Sequence, residues 1–288
     1  MGLDSIRITA LIDNTTHYEG PIWAENGISL LLEVPELDVV VLVDTGITGE
    51  ALLNNAEVLG IDLSEVKYVF LTHNHYDHTG GLLKLLTHVN SNPLIIAHPE
   101  VFSPKYAILP SLGLNELTYT GPPYSLGELE RHAEVILSRD PVPLAKDVMT
   151  TGEIPRKNDF EIVRGFYKVE GGKFVTDELP DDQALVVRMR DGLVILLGCG
   201  HSGVVNTVAR AISLTGEDRI KAIIGGFHLI DASDERIERT VEALKEYNPE
   251  ILVPMHCTGF RAKSKLASQL RDSFRELYAG ESLEIYSQ

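Results

Sequence analysis

The sequence predicts an α/β (α+β) fold in a single domain spanning residues 1–288, and three observations carry that expectation. Apolar runs of strand length, such as ISLLLEV, VVVLV and LVILL, alternate along the chain with segments of helical period. Gly, Asn and Pro punctuate the junctions between them. Four of the apolar runs end directly in turns that carry a histidine, as expected where strands of an α/β sheet deliver side chains to a common crevice at their carboxyl ends.

Taken in order, IRITALID, GISLLLEV and VVVLVDTG read as three strands separated by turn residues. Residues 48–59 (TGEALLNNAEVL) read as a helix, with Thr48 as its N-cap and Glu50 in its first turn. A strand over Lys67–Leu71, a helix over Gly80–Val89 and a strand over 94–98 (LIIAH) follow. Eight of the fourteen prolines then fall between Pro99 and Pro155, and periodicity weakens. The segment from about 99 to 180 is therefore expected as an insertion or lid. From Ala184 the pattern returns with a hairpin turning at Asp191-Gly192. A helix near 203–214, a strand KAIIGG, a helix near 233–247, a strand ILVPMH and a closing helix near 261–278 complete the expectation.

A formal charge of -17, from 25 basic against 42 acidic residues, argues against a nucleic-acid partner, which needs a basic face to neutralise phosphates. No apolar stretch approaches the roughly 18 residues that span a bilayer, and the N-terminus shows no secretory pattern. The expectation is a cytoplasmic protein acting on a small molecule, with a homodimer as the default assembly. Two cysteines, Cys199 and Cys257, form no disulfide framework; each lies near a histidine and suits a reducing compartment.

The stretch THNHYDHTGG puts His73, His75, Asp77 and His78 within six positions, directly behind a strand. Imidazole and carboxylate are the usual ligands of catalytic zinc and related ions, and two pairs of them point to two divalent ions. Four residues do not close two sites, so further ligands must come from elsewhere. His201 in LLGCGHSG, His228 in IIGGFHLID and His256 in LVPMHCTG each follow an apolar strand in a glycine- or proline-marked turn. His201 and His256 are assigned to the metals and His228 to the substrate or to orienting a ligand. Cys199 is a further possible ligand. His17, His88, His98 and His132 stand singly and read as structural. Zinc is the leading metal, with manganese and iron as alternatives.

THNHYDHTGG matches the HxHxDH motif of the metallo-β-lactamase superfamily, and Asp44 in VLVDTG resembles the strand-borne aspartate that precedes it there. The resemblance implies a four-layer αββα sandwich with a dinuclear site along one edge. More narrowly, TGEIPR, PDDQAL, GCGHSGVVNT, GGFHL and HCTG are similar to the branch named for 7,8-dihydropterin-6-methyl-4-(β-D-ribofuranosyl)aminobenzene-5'-phosphate synthase. That implies pterin transfer in methanopterin-type biosynthesis and a phosphorylated or pterin substrate. Hydrolysis of a phosphoester, lactone or thioester is the alternative, and non-catalytic metal binding the third. In these roles Asp77 and His228 are the catalytic candidates, and Arg156 joins His228 in binding substrate because guanidinium pairs bidentately with phosphate. The sequence departs from the superfamily in two places. Cys199, Gly200 and His201 stand where many members carry a bridging aspartate. The third-motif histidine has no evident counterpart, the nearest polar residues being Asp181, Asp182 and Gln183.

Overall fold

The structure is a computed structural model that describes residues 2–288. Its strands form two large sheets and one small one. The first large sheet runs, edge to edge, β17 (Ser282–Tyr286), β1 (Ser5–Ile12), β2 (Ser29–Val34), β3 (Val39–Val43), β4 (Tyr68–Phe70), β5 (Leu94–Ala97) and β8 (Val135–Leu137). The second runs β16 (Ile251–Met255), β15 (Ile220–Gly226), β14 (Gly192–Leu197), β13 (Ala184–Met189), β10 (Val148–Thr150) and β9 (Pro143–Ala145). The small antiparallel sheet is β12 (Lys173–Thr176), β11 (Phe166–Glu170), β6 (Lys105–Leu109) and β7 (Leu114–Tyr119). The helices are α1 (Glu50–Leu59), α2 (Tyr76–Thr79), α3 (Leu82–His88), α4 (Leu126–Leu129), α5 (Val204–Thr215), α6 (Asp234–Tyr247) and α7 (Phe260–Gln269).

Alternation along the strands creates the layers. Ile8 and Ala10 of β1, Leu30 and Leu32 of β2, and Val41 and Val43 of β3 face one way. They meet Val194 and Leu196 of β14, Ile224 of β15 and Val253 of β16 in a core between the two large sheets. The intervening Leu11, Leu31 and Leu42 face outward onto Leu52 of α1 and Leu82 and Leu85 of α3. On the far side Leu193, Ile195 and Ile223 receive Val208 of α5, Ile237 and Val241 of α6, and Leu266 of α7. Strands buried on both faces explain why their sequences read as continuous apolar runs. This is the αββα sandwich.

Strands β3, β4, β5 and β8 are parallel, as are β14, β15 and β16. Asp44, the histidine cluster, Cys199, His201, His228 and His256 all follow carboxyl ends of these parallel strands, so the topology gathers them at one edge.

The segment 99–180 differs from the irregular lid read from its prolines. Three of its strands extend the large sheets (β8, β9 and β10), and four form the small sheet. Pro99 and Pro110 open short 3-10 turns, and Pro143 begins β9 at a sheet edge, positions where a missing N–H costs little. Two further differences concern helix ends. Gly49 takes the N-cap position of α1, while Thr48 Oγ1 still accepts from Glu50 N at 3.0 Å. The closing helix stops at Gln269 rather than 278, and β17 follows it. The alternation of Leu283 and Ile285 with polar neighbours is the sequence signal for that strand. No helix among the described residues is long and apolar enough to cross a membrane.

Candidate metal centre

Three of the imidazoles at the edge, His73, His78 and His256, are oriented by a partner on the outer nitrogen. Asp44, held at φ 60° directly after β3, accepts from Thr72 N at 2.8 Å and Thr72 Oγ1 at 2.7 Å, and faces His78 Nδ1 at 2.6 Å. The Thr72 hydroxyl proton is spent on Asp44, so Thr72 Oγ1 receives the Nδ1 proton of His73 at 3.0 Å. One carboxylate thereby fixes the tautomer of both rings and turns His73 Nε2 and His78 Nε2 inward as free lone pairs. Gly198 lies against this network because a Cβ there would overlap Thr72 Oγ1. On the opposite side Asn14 Oδ1 faces His256 Nδ1 at 2.6 Å, and Asp13 Oδ1 accepts from His256 N at 2.8 Å. His228 and His256 have φ 44° and 42°, left-handed conformations that non-glycine residues adopt at a cost and that cluster at functional sites.

The inward atoms form two groups of three. His73, His75 and His201 offer ligand atoms within 4.8 Å of one another, and so do Asp77, His78 and His256. In the first group His75 Nδ1 lies 3.0 Å from His73 Nε2 and 3.1 Å from His201 Nε2. His75 Nδ1 carries at most one proton and can satisfy only one of those contacts by hydrogen bonding, so the three facing nitrogens suit a shared cation. Burial, reinforced by the neighbouring imidazoles, pushes His73 and His201 well below the usual histidine range. Burial likewise brings His75 down to about 3, against the opposing field of Asp77. All three are neutral near pH 7, the form that ligates metal.

In the second group burial opposes the charge on Asp77, but His78 and His256 overcome it and hold the carboxyl well below its ordinary range. Burial also disfavours a charged His256, yet Cys257 and Asp77 outweigh it and raise that ring to about 9. His256 Nε2 sits 3.3 Å from Asp77 Oδ2, so both groups point into the same space. Cys199 lies between the groups: its Sγ is 3.1 Å from His78 Nε2 and belongs to three further clusters of potential ligands, with His73 and His78, with His201 and His228, and with His256 and Cys257. His228 lies beside His201, ring centroids 4.2 Å apart and planes tilted by 51°, and its Nδ1 is buried without a partner.

These groups open onto a cavity of about 380 Å³ whose apolar wall is Phe166, Leu109, Leu112, Leu114 and Ile230. Four of these five come from the small sheet and its turns. Phe166 lies nearly parallel to His75, centroids 5.1 Å apart. A larger groove of about 600 Å³ lies beside α1 but contains no converging ligand atoms, so volume alone does not mark the site.

Arg156, read from the sequence as a phosphate clamp, is turned away from this cavity. Its guanidinium donates to the carbonyls of His201 at 2.7 Å, Glu178, and Leu179 at 3.4 Å, and so braces the His201 turn. Asp181 pairs with Lys105 and accepts from Asn74 N at 2.8 Å; Asp182 accepts from Ser202 N at 2.8 Å. Both support the ligand loops from behind. His98 is structural, bonded to Glu100 N and Glu153. Asp13, Asn14 and Lys105 are contributors that motif reading missed, although Asp13 and Asn14 also stand at the end of an apolar strand.

Residues 29–256 match the family described as the metallo-beta-lactamase superfamily. The chain belongs to that superfamily. Metallo-beta-lactamase superfamily members usually bind divalent metals, and the two trios fit that requirement through their converging ligand atoms and inward lone pairs. The chain is 34% identical to a 7,8-dihydropterin-6-methyl-4-(beta-D-ribofuranosyl)-aminobenzene-5'-phosphate synthase of Methanocaldococcus jannaschii, covering 98% of each chain. It is 33% identical to an uncharacterized protein of the same organism, over 92% of this chain and 95% of that one. A crystal structure of a metal-dependent hydrolase of the beta-lactamase superfamily superposes with a TM-score of 0.82 at 32% identity, covering 98% of this chain and 100% of the other. Zn(2+)-bound PqqB from Methylobacterium extorquens shares the fold, with a TM-score of 0.56 at 11% identity over 97% and 100% of the two chains.

Proposed function

We propose that each trio holds one divalent cation, zinc in the first instance, and that the resulting dinuclear centre carries out a pterin transfer of the kind for which the Methanocaldococcus jannaschii relative is named. The observation that carries the reading is the 34% identity running through 98% of both chains. Divalent ions at such a pair stabilise charge developing on a phosphoryl leaving group. The chain's own residues do the rest. His73, His75 and His201 form one ligand set; Asp77, His78 and His256 form the other, with Cys199 between them. Asp77 supplies the negative charge of its set. His228, on the cavity wall beside His201, orients the substrate. Phe166 and the leucines of the small sheet give a planar heteroaromatic ring an apolar surface and keep water from it.

Hydrolysis is the competing reading, and one observation favours it: the 32% identical neighbour is described as a metal-dependent hydrolase. Metal-loaded protein given a dihydropterin diphosphate and the aminobenzene ribosyl phosphate is expected to release diphosphate and form the coupled product. Parallel incubations with generic phosphodiesters and thioesters supply the contrast. Turnover of those esters without any coupling would remove the transferase reading.

A further inference from the structure

Arg236 lies in the first turn of the 14-residue helix α6 and is only 8% exposed. Its guanidinium makes one hydrogen bond among the described residues, from Nη1 to Ile162 O at 3.2 Å, and its Nε is buried without a partner. Nearby Arg239 and Arg261, both far more exposed, pair with Asp159 at 2.6 Å and Asp234 at 3.7 Å. Arg236 reaches no carboxylate at ion-pair distance among the described residues. Of the acids whose fields it feels, Glu161 is already committed to Val205 N, Asn206 N and Asn158 Nδ2 at 2.7–2.9 Å. Burial accordingly weakens the hold of Arg236 on its proton. Buried charges are ordinarily paired, so this one lacks an anion.

The missing partner has room. Arg236 lines a cavity of about 460 Å³ with Arg164, Ser233, Asp231 and His228. Ser233 caps α6, its Oγ accepting from Arg236 N at 3.2 Å, and the helix dipole favours negative charge at this end. Asp231 is the one acid on the wall; Asp234 is turned toward Arg261. His228 also lines the cavity of the metal centre, so the two spaces flank a single side chain.

We propose that Arg236, with Arg164 and the N-terminal turn of α6, forms a phosphate-binding subsite beside the metal centre, holding the phosphoryl group of a molecule whose reacting end lies past His228. Phosphate recognition follows from the guanidinium alone; placing the rest of the molecule at the metals rests on the reading of the centre given above. Isothermal titration with inorganic phosphate and with ribose 5-phosphate tests it, read in full-length Asp77→Ala protein so that phosphate held by a complete metal centre does not mask the subsite. Adding Arg236→Met is expected to weaken binding of both probes at least about tenfold. The thermal midpoint of Arg236→Met alone, in phosphate-free buffer, is expected to equal or exceed that of wild type, because an unpaired buried cation has become an apolar side chain. Undiminished phosphate binding, or a lowered phosphate-free midpoint, would overturn the subsite by showing the guanidinium already satisfied within the protein. Binding of inorganic phosphate without ribose 5-phosphate would overturn the substrate's phosphoryl group as the occupant. Failure of pterin transfer leaves each of these readings intact, so the two proposals fail separately.

Discussion

Asp77→Ala is expected to reduce turnover at least about a thousandfold and to lower bound metal from two ions to one per chain, while leaving the fold intact. The magnitude follows from losing several kcal/mol of charge stabilisation at a dinuclear centre, each ~1.4 kcal/mol being tenfold in rate. Asp77 is the single carboxylate in either trio, so its removal leaves that set with His78 and His256 and no anionic ligand. The fold should tolerate the change because Asp77 accepts no hydrogen bond from the backbone that another residue relies on; its contacts are the two imidazoles, at 3.3 and 3.8 Å. Metal analysis, steady-state kinetics and circular dichroism on one preparation measure all three quantities. Retained activity with one ion lost would move catalysis to the His73, His75 and His201 group. Two ions retained in wild type, with no turnover of any ester or pterin substrate, would favour a metal-binding protein without catalysis.

Lys105→Met is expected to destabilise the protein by about 3–5 kcal/mol, the usual cost of removing one member of a buried ion cluster. Lys105 is 1% exposed and bridges two fully buried carboxylates, Asp177 at 3.0 Å and Asp181. Burial alone would raise Asp181, but the lysine outweighs it and holds that carboxyl below its ordinary value; without the ammonium, two buried acids are left to share no cation. The effect should reach the metal centre as well. Asp181 fixes Asn74 N, between His73 and His75, and Lys105 stands on β6 of the small sheet that walls the cavity. Chemical denaturation of metal-loaded protein gives the size. The triple variant Lys105→Met, Asp177→Asn, Asp181→Asn should recover most of the loss, because it leaves no unpaired charge. Little loss in Lys105→Met would mean that the cluster is not what ties the small sheet to the histidine loop.

How much of this was legible in the sequence depends on whether the signal was local. Strands β1 to β5 and β13 to β16 of the two large sheets announced themselves as apolar runs, since burial on two faces leaves little room for polar residues. The HxHxDH stretch announced itself because four potential ligands in six positions have few structural uses. The ordered segment 99–180 did not, because its prolines sit in 3-10 turns, in the loops between strands and at the edge start of β9, where they do not interrupt a ladder; prolines counted without their positions look like irregular chain. Arg156 was misdirected for a different reason. A guanidinium suits phosphate and backbone carbonyls equally, and only the folded position of Glu178, Leu179 and His201 selects the carbonyls. Lys105 and Arg236 were invisible because burial of a long cation is a property of the assembled layers, and Asp13 and Asn14 because their partner, His256, lies more than 240 residues away in the chain.

The central claim is that side chains from separate strand ends converge on two divalent cations. Anomalous scattering from crystals of protein purified without chelator measures this directly. The account requires two peaks per chain, roughly 3.5–4 Å apart, one within bonding distance of His73, His75 and His201, the other of Asp77, His78 and His256. A map with no peak at this edge, or with its metal bound elsewhere on the protein, would contradict it.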